Sequence, residues 1–424
     1  MMSMKAKVIT GLVAVVVLAW ATSPNLRPMI VIGLMITLIV LWRKRFAMSE
    51  VERSLRRGWP NLAEQCGLGR RQPDGKVVVP GVVAVTASPL GWEVRVRLLI
   101  GQEASSVTAV SGRLRAAWDV PEVRVRDQGA YAAIDVVTRD PLAVAIEPTI
   151  DTVPTAWSLD AVPAGICEDG TPWMLPIDGG SIVIGGIPRG GKSVTISAVL
   201  AGLVGRPDVQ VIAIDMKGMI ELGTWEPRCS AAAGDQESAL EILREVDSIR
   251  RDRQEFVRNS GMTSLSRIGY SREVPFILVV VDECAELFGA ESSAKEAKER
   301  AAELVAVASR IVRLGRAAGI GMLLATQRPT VDALPGVIRD NAATKVATRC
   351  TTPDQAKAVL GDISGGVSPT QIGPGQPGVA VTDTGAGLVR VRSAFLSEDV
   401  RREVVRRTAH LARPLAELAV VSAA

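Results

Sequence analysis

The sequence contains few of the side chains that build metal centres, disulfide frameworks or histidine-based active sites. Its 424 residues include a single histidine, His410, and five cysteines that form no Cys-x-x-Cys pair. Structural zinc sites need closely spaced cysteine and histidine ligands, and small disulfide scaffolds need paired cysteines. The composition therefore excludes both, and the position of His410 in a charged C-terminal segment argues against a Ser-His-Asp triad. We interpret the cysteines as free thiols of a reducing cytoplasm.

A basic surplus is also missing from most of the chain. The net charge is +4, but residues 1–46 carry six basic and no acidic side chains, which leaves 43 basic against 45 acidic residues in the remainder. A nucleic-acid contact in that remainder would have to be a local stripe of Lys and Arg rather than a basic domain.

Two apolar runs, at about residues 8–22 and 28–42, lie at the N-terminus and are separated by a proline-containing link. Each run is shorter than the roughly 20 residues that span a bilayer comfortably. Basic residues before the first run and after the second place both ends on the cytoplasmic side. We predict a transmembrane helical hairpin that anchors a cytoplasmic domain at the cell membrane. A cleaved signal peptide is the alternative for the first run.

A phosphate-binding loop is predicted between a short apolar strand and a helix. It fits the pattern of Gly, four free positions and then Gly-Lys-Ser. Glycines let backbone N–H groups converge on phosphates, and the helix N-terminus adds partial positive charge. Lys192 would reach the β- and γ-phosphates, and Ser193 would complete the shell of a Mg²⁺ ion. The predicted nucleotide-binding residues, for ATP or GTP, are Gly186, Ile187, Pro188, Arg189, Gly190, Gly191, Lys192, Ser193 and Val194.

Two acids follow a second apolar strand at residues 276–281, and the first of them lies 90 residues after Lys192. Asp282 would hold Mg²⁺ through its water shell, and Glu283 would orient and deprotonate the attacking water. Gln327 ends another apolar strand, where it could sense the γ-phosphate. The alternative for Gln327 is an amide that bonds the loop backbone.

The pattern of elements predicts an α/β protein with several domains. From residue 180 onward strands and helices alternate, which indicates a mostly parallel sheet covered on both faces. An earlier α/β segment is predicted to have strands or helices at 80–87, 92–100, 105–118, 122–126 and 131–138. The predicted domains are a membrane hairpin at 1–46, a linker at 47–79, a small α/β subdomain at 80–150, a P-loop motor at 151–396 and a basic, exposed tail at 397–424.

At these residues the chain resembles the FtsK/SpoIIIE family of DNA translocases. The resemblance implies a RecA-like motor that uses ATP and Mg²⁺, a hexameric ring around double-stranded DNA, and a nucleotide site completed by an arginine of the neighbouring subunit. This chain has Lys345 where many relatives carry that arginine, and Lys lacks the planar fork of Arg, so Arg339 and Arg349 are alternatives. The resemblance rests on IGGIPRGGKS at 184–193, IAIDMKGMIELG at 212–223, VVVDECAELFG at 279–289 and GRAAGIGMLLATQRPTVDALPGVIRDNAATKVA at 315–347.

Within that family the chain is most similar to the transfer proteins of actinobacterial conjugative plasmids and integrative elements. The short stretch after Phe395 cannot form the winged-helix domain that chromosome-partitioning members usually carry. We therefore expect a membrane-anchored, ATP-driven translocase that moves double-stranded DNA between cells. The alternatives are a chromosome-partitioning translocase at division, a type VII-like protein-secretion ATPase, and a coupling ATPase for single-stranded transfer.

Overall fold

The computed structural model describes residues 52–419, apart from 74, 89, 154–155, 179, 331–332, 362–366 and 386. The predicted membrane hairpin lies outside these residues. Among those that are described, no helix is long and apolar enough to cross a membrane. The chain divides into two units, Met1–Asp140 and Pro141–Ala424.

The first unit is a four-stranded antiparallel sheet in the order β3-β4-β6-β5, with helices packed on one face. The apolar positions of the strands alternate, so that Val94 and Val96 of one strand both face the helices and are buried. The predicted strands and helical region are confirmed. Its elements are α1 at 52–65, β1 Arg70–Arg71, β2 Val77–Val78, β3 Gly81–Ser88, β4 Gly91–Arg97, α2 Ala104–Thr108, α3 Ser111–Trp118, β5 Glu122–Gln128 and β6 Tyr131–Val137.

Residues 52–71 differ from the linker that we predicted, because they are packed into this first unit. Trp59 is 2% exposed, its indole N–H donates to the Pro80 carbonyl at 2.6 Å, and its ring lies 6.2 Å from that of Trp118. A buried tryptophan contributes a large apolar area, and its N–H normally finds a partner. The sequence did not predict this packing, because the residues just before Trp59 are mostly charged.

The single helix predicted at 105–118 is two helices, α2 and α3. Val110 separates them with ψ near 4°, and Gly112, a poor helix former, lies at the start of α3. Val107 and Leu114 are both fully buried against the sheet. The break therefore allows two short helices to bury one large apolar side chain each.

The second unit contains a ten-stranded sheet in the order β11-β10-β12-β13-β9-β14-β15-β16-β7-β8. The six strands from β11 to β14 are parallel, and the remaining four add in antiparallel fashion. Its elements are β7 Val162–Cys167, β8 Pro172–Leu175, β9 Ile182–Gly185, α4 Lys192–Leu203, β10 Val209–Ile214, β11 Cys229–Ala233, α5 Gln236–Asn259, α6 Leu265–Ile268, β12 Phe276–Val281, α7 Cys284–Phe288, α8 Lys295–Leu314, β13 Ile320–Thr326, α9 Gly336–Asn341, β14 Thr344–Thr348, α10 Pro353–Leu360, β15 Val379–Asp383, β16 Leu388–Ser393 and α11 Glu398–Thr408.

The central strands are apolar throughout because both faces of the sheet are covered. Ile182 and Ile184 pack into one core with α4 and α11, whereas Val183 between them packs into a second core with α5 and α8. Every residue of β9, β10, β12 and β13 is buried. The mostly parallel sheet predicted from these apolar runs is confirmed.

The segment after Phe395 is packed against the rest of the second unit. Our prediction of an exposed tail there is wrong for the described residues. Val404 is fully buried among the residues of α4. Leu418 is also fully buried, and the carbonyl of Leu411 accepts a hydrogen bond of 2.9 Å from Gln210. The arginines of α11 dominate its composition, but its apolar positions follow helical spacing and form the buried side.

Candidate nucleotide site

The phosphate loop connects the central strand β9 to the N-terminus of α4, which begins at Lys192. Two of its positions have room only for glycine. A Cβ at Gly186 would lie 1.9 Å from Oγ1 of Thr348, and a Cβ at Gly191 would lie 2.1 Å from the main-chain nitrogen of Gly378. Gly191 also has φ of +100°, in the left-handed region. The close packing holds the backbone N–H groups of the loop in a fixed cradle at a helix N-terminus, which suits an anion.

Lys192 and Asp282 form a buried ion pair at the base of this loop. The ammonium of Lys192 donates to Oδ1 of Asp282 at 2.8 Å and to the main-chain carbonyl of Asp282. Lys192 is 4% exposed and Asp282 is fully buried. Burial raises the pKa of Asp282, and the charge of Lys192 offsets part of that rise.

The residues present fit a Mg²⁺ ion bound with the help of phosphate oxygens. Oδ2 of Asp282 is buried and has no hydrogen-bond partner among the described residues. Ser193 directly follows Lys192 and is half-buried. The part of the chain that the structure describes has no group of three or more His, Cys, Asp or Glu side chains that could hold a metal. Mg²⁺ commonly needs only one or two protein ligands when substrate phosphates and water supply the others.

Glu283 lies beside this pair and is fixed by donors from two neighbouring segments. The Thr326 hydroxyl donates to Oε1 at 2.7 Å, and the main-chain N–H of Gln327 reaches both carboxylate oxygens at 3.1 Å. The ammonium of Lys217 lies 3.7 Å from Oε2. Glu283 is 3% exposed, so its carboxylate is desolvated and held in one orientation.

The structure places Gln327 next to Glu283 through its main chain. The half-buried side chain of Gln327 begins where β13 ends, at the carboxyl edge of the parallel sheet. This position suits the sensor role that we predicted. The contact of the main-chain N–H with the Glu283 carboxylate is a different one from the predicted alternative, in which the side-chain amide bonds the loop backbone. The role of the side-chain amide stays a prediction.

Lys345 is not brought to the site within one chain. It lies in the middle of β14, where it pairs with Val183 two positions before the end of β9. Arg339 is on α9 and pairs with Asp340 at 2.8 Å. Arg349 is nearer to the loop of its own chain, because its carbonyl accepts a 2.9 Å hydrogen bond from the Ile187 N–H. A role for any of the three in a neighbouring subunit's site stays a prediction.

Sequence reasoning missed the residues that support the phosphate loop from the antiparallel half of the sheet. The Gly378 N–H donates to the carbonyl of Gly190 at 3.1 Å, and the hydroxyls of Thr195 and Ser393 are 2.7 Å apart. The cluster of glycines and prolines at residues 373–378 was a visible sign of a close backbone approach. Nothing in the sequence indicated which element it approaches.

Asp215 was also given no role, although its side chain organises the turn that carries Lys217. It is fully buried. Its Oδ1 accepts from the N–H of Lys217 at 2.9 Å, and its Oδ2 accepts from the N–H groups of Glu221 and Leu222 at 2.8 and 3.1 Å. An aspartate at the carboxyl end of an apolar strand could have been recognised as a candidate for this kind of turn.

Comparison with known proteins identifies two family segments in the chain. Residues 19–132 match the actinomycete conjugal transfer protein N-terminal domain, and residues 148–275 match the FtsK/SpoIIIE family. The phosphate loop lies inside the second match, and Asp282 and Glu283 lie just beyond its end. These matches confirm the resemblance that the motifs predicted.

Individual relatives agree with the two matches. DNA translocase FtsK of Bacillus cereus is 30% identical over an alignment of 245 residues that covers 53% of this chain but only 29% of that protein. Transfer protein TraSA of Streptomyces ambofaciens is 28% identical over an alignment of 340 residues that covers 74% of this chain and 78% of TraSA. The chain thus spans less than a third of the FtsK relative and most of the TraSA relative.

Solved structures share the fold at low sequence identity. The pCW3 conjugation coupling protein TcpA, in its monomer form with ATPγS, has a TM-score of 0.58 and 16% identity, and the match covers 84% of this chain and 99% of TcpA. ATPases 2 and 3 of EssC from Geobacillus thermodenitrificans have a TM-score of 0.52 and 17% identity, over 64% of this chain and 52% of that chain. These values establish a shared α/β fold.

Proposed function

Because the chain carries an FtsK/SpoIIIE family domain and is homologous to transfer protein TraSA and to FtsK DNA translocases, we propose that it is an ATPase that translocates double-stranded DNA. We further propose that it is anchored in the cell membrane, with its motor in the cytoplasm. Its role would be to move plasmid or integrative-element DNA between cells in conjugation.

The observation that carries the ATPase proposal is the buried group of Lys192, Asp282 and Glu283 beside a glycine-lined loop. An incoming γ-phosphate would compete with Asp282 for the Lys192 ammonium, which then neutralises phosphate charge. Glu283 is fixed by Thr326 and Gln327 but keeps acceptor capacity on its carboxylate, so it can orient a water and take its proton. The low exposure of all three charged residues strengthens their interactions with a bound phosphate.

Mg²⁺ would be held by Ser193 and by Asp282, whose Oδ2 has no protein partner among the described residues. When bound, the ion would supply positive charge that neutralises the charge developing on the phosphate. Asp282 would remain compensated by the ion when Lys192 turns to the phosphate.

The proposal of DNA transfer rests on how far the TraSA similarity extends. It covers most of both proteins, and the first unit contributes a match of its own to a conjugal transfer protein domain. Membrane anchoring rests on the apolar runs in residues 1–46, and a hexameric ring rests on the family resemblance.

Chromosome partitioning is the second candidate, because the identity to FtsK of Bacillus cereus is slightly higher than the identity to TraSA. That similarity covers only about half of this chain, which favours transfer. A protein-secretion ATPase is less well supported, because the sequence relatives described above are named as a DNA translocase and a transfer protein.

The test is ATP hydrolysis by the full-length protein in detergent, without DNA and with linear duplex or single-stranded DNA. Duplex DNA should stimulate hydrolysis, and the protein should displace a third strand from a DNA triplex in an ATP-dependent manner. Lys192→Ala is the inactive control. Stimulation by single-stranded DNA alone would favour a single-stranded coupling role. A rate of ATP hydrolysis that is the same with and without DNA would refute translocation. To separate transfer from partitioning, the gene would be deleted from its host: lost conjugation with normal chromosome segregation is expected.

A further inference from the structure

One lysine in the described part of the chain contacts Glu283 and has no role in the proposal above. Lys217 follows strand β10, which is the neighbour of β12 in the sheet. Its ammonium is 3.7 Å from Oε2 of Glu283, and its side chain is 35% exposed, whereas that of Glu283 is 4% exposed. Lys217 thus reaches from the surface to a desolvated carboxylate.

The turn that presents Lys217 is fixed by three hydrogen bonds and by unusual backbone conformations. Buried Asp215 accepts from three main-chain N–H groups of this turn, including that of Lys217. Gly218 and Met219 both have positive φ, of +71° and +62°. A non-glycine residue in the left-handed region is uncommon, and such residues persist only where the surrounding structure imposes them. The base of the lysine side chain therefore has a defined position.

The other two donors to Glu283 belong to a different segment of the chain, and only one of them, the Gln327 N–H, also reaches Oε2. Both the Thr326 hydroxyl and the Gln327 N–H bind Oε1, and they stand at the rigid end of β13. Only the Gln327 N–H and Lys217 are near Oε2 in the contacts of the described residues. Lys192 cannot replace Lys217, since its ammonium is bound to Asp282.

We propose that Lys217 is a positioning residue for ATP hydrolysis: its ammonium holds Oε2 of Glu283 in the orientation from which that oxygen accepts the proton of the attacking water. This inference rests on the proposed ATPase function. Lys217 neither binds ATP nor transfers the proton. Without it, Oε2 would keep only the Gln327 N–H, which it shares with Oε1, and would be held less firmly in the orientation that faces the water.

The test compares Lys217→Met with Lys217→Arg in the full-length protein. Methionine keeps most of the unbranched stem but removes the charge, and the main-chain hydrogen bond to Asp215 is retained in both variants. Misplacing a catalytic group by about 1 Å can cost about a hundredfold in rate. We expect kcat for ATP to fall at least tenfold in Lys217→Met with KM changed less than about twofold, and Lys217→Arg to recover most of the loss. Lys295→Met is the control, because Lys295 is 82% exposed and pairs only with exposed Glu299.

Two further measurements separate the outcomes. Thermal unfolding should show that Lys217→Met is fully folded at the assay temperature, which excludes loss of folding as the cause. If wild type and Lys295→Met hydrolyse ATP and Lys217→Met keeps a kcat within about twofold of theirs, the proposal for Lys217 is wrong although the ATPase function stands. An equal loss in Lys217→Arg, or a loss confined to KM, would also overturn it. If wild type itself does not hydrolyse ATP, the ATPase proposal is the one that fails.

Discussion

Replacing Lys192 by methionine should destabilise the protein in addition to stopping hydrolysis, because Lys192 compensates a carboxylate that has no access to solvent. Asp282 is fully buried, and the two charged groups are 2.8 Å apart. Removing one partner of a buried ion pair costs about 3–5 kcal/mol, since the other charge stays behind. We expect Lys192→Met to lose an amount in this range from its free energy of unfolding in urea at neutral pH.

The size of this loss should depend on pH. Burial raises the pKa of Asp282, and Lys192 lowers it, so the pKa should rise further in Lys192→Met. A carboxyl whose pKa is raised in the folded state keeps a proton that the unfolded chain has released, and stability then falls as the pH rises above the unfolded pKa of about 3.9. The difference between wild type and variant should be smallest near that pH and should grow toward neutrality.

An exposed ion pair provides the control. Arg244 and Glu303 lie 2.7 Å apart, but their side chains are 54% and 43% exposed. Such pairs contribute at most about 1 kcal/mol, so Arg244→Met should cost little at any pH. Combining Lys192→Met with Asp282→Asn should recover part of the loss, because no charge is then left buried. If Lys192→Met costs no more than Arg244→Met across the pH range, the Lys192–Asp282 pair is not desolvated and the reasoning is refuted.

Two more substitutions test packing that the sequence did not reveal. Gly191→Ala adds a methyl group 2.1 Å from the main-chain nitrogen of Gly378, so the phosphate loop must shift and kcat/KM for ATP should fall about a hundredfold. Gly375→Ala, which meets nothing within 4 Å, should stay within about twofold, and an unchanged rate in Gly191→Ala would show that the loop can relax. Leu418→Ala should cost about 2–5 kcal/mol in the free energy of unfolding, because the side chain is fully buried. Val337→Ala, at a 53% exposed position, should cost less than about 0.5 kcal/mol, and similar values for the two would mean that the C-terminal segment is not packed as described.

The polar residues along one edge of the sheet could be predicted from the sequence because each directly follows an apolar strand. In a parallel sheet those strand ends lie along one edge. Asp282, Glu283 and Gln327 follow from this rule, whereas Lys192 follows from the glycine-loop pattern, and the structure brings these residues together. The same rule would have singled out Asp215, which ends the strand next to that of Asp282, had its side chain been considered as a turn-forming acceptor.

Other features depend on contacts between distant segments, and these leave little trace in the sequence. The sequence places Trp59 in a charged linker, because its packing partner Trp118 lies far away in the chain. The arginines of α11 suggest an exposed tail. In the structure Val404 on the apolar side of α11 is buried, and so is Leu418 in the segment that follows. In each case a few apolar side chains among many charges decide the packing, since burial of one large side chain contributes about 1.5–3 kcal/mol.

The antiparallel half of the sheet contacts the candidate nucleotide site directly. It contributes Gly378 before β15 and Ser393 at the end of β16, which contact the phosphate loop and the start of α4, and Thr348 at the end of the neighbouring parallel strand β14 also lies against the loop. The contact between Gly191 and Gly378 is backbone against backbone, so no rotamer change can absorb a shift there. The segment before β15 could therefore not move toward the phosphate loop without displacing it, and the loss expected for Gly191→Ala tests how closely this contact confines the loop.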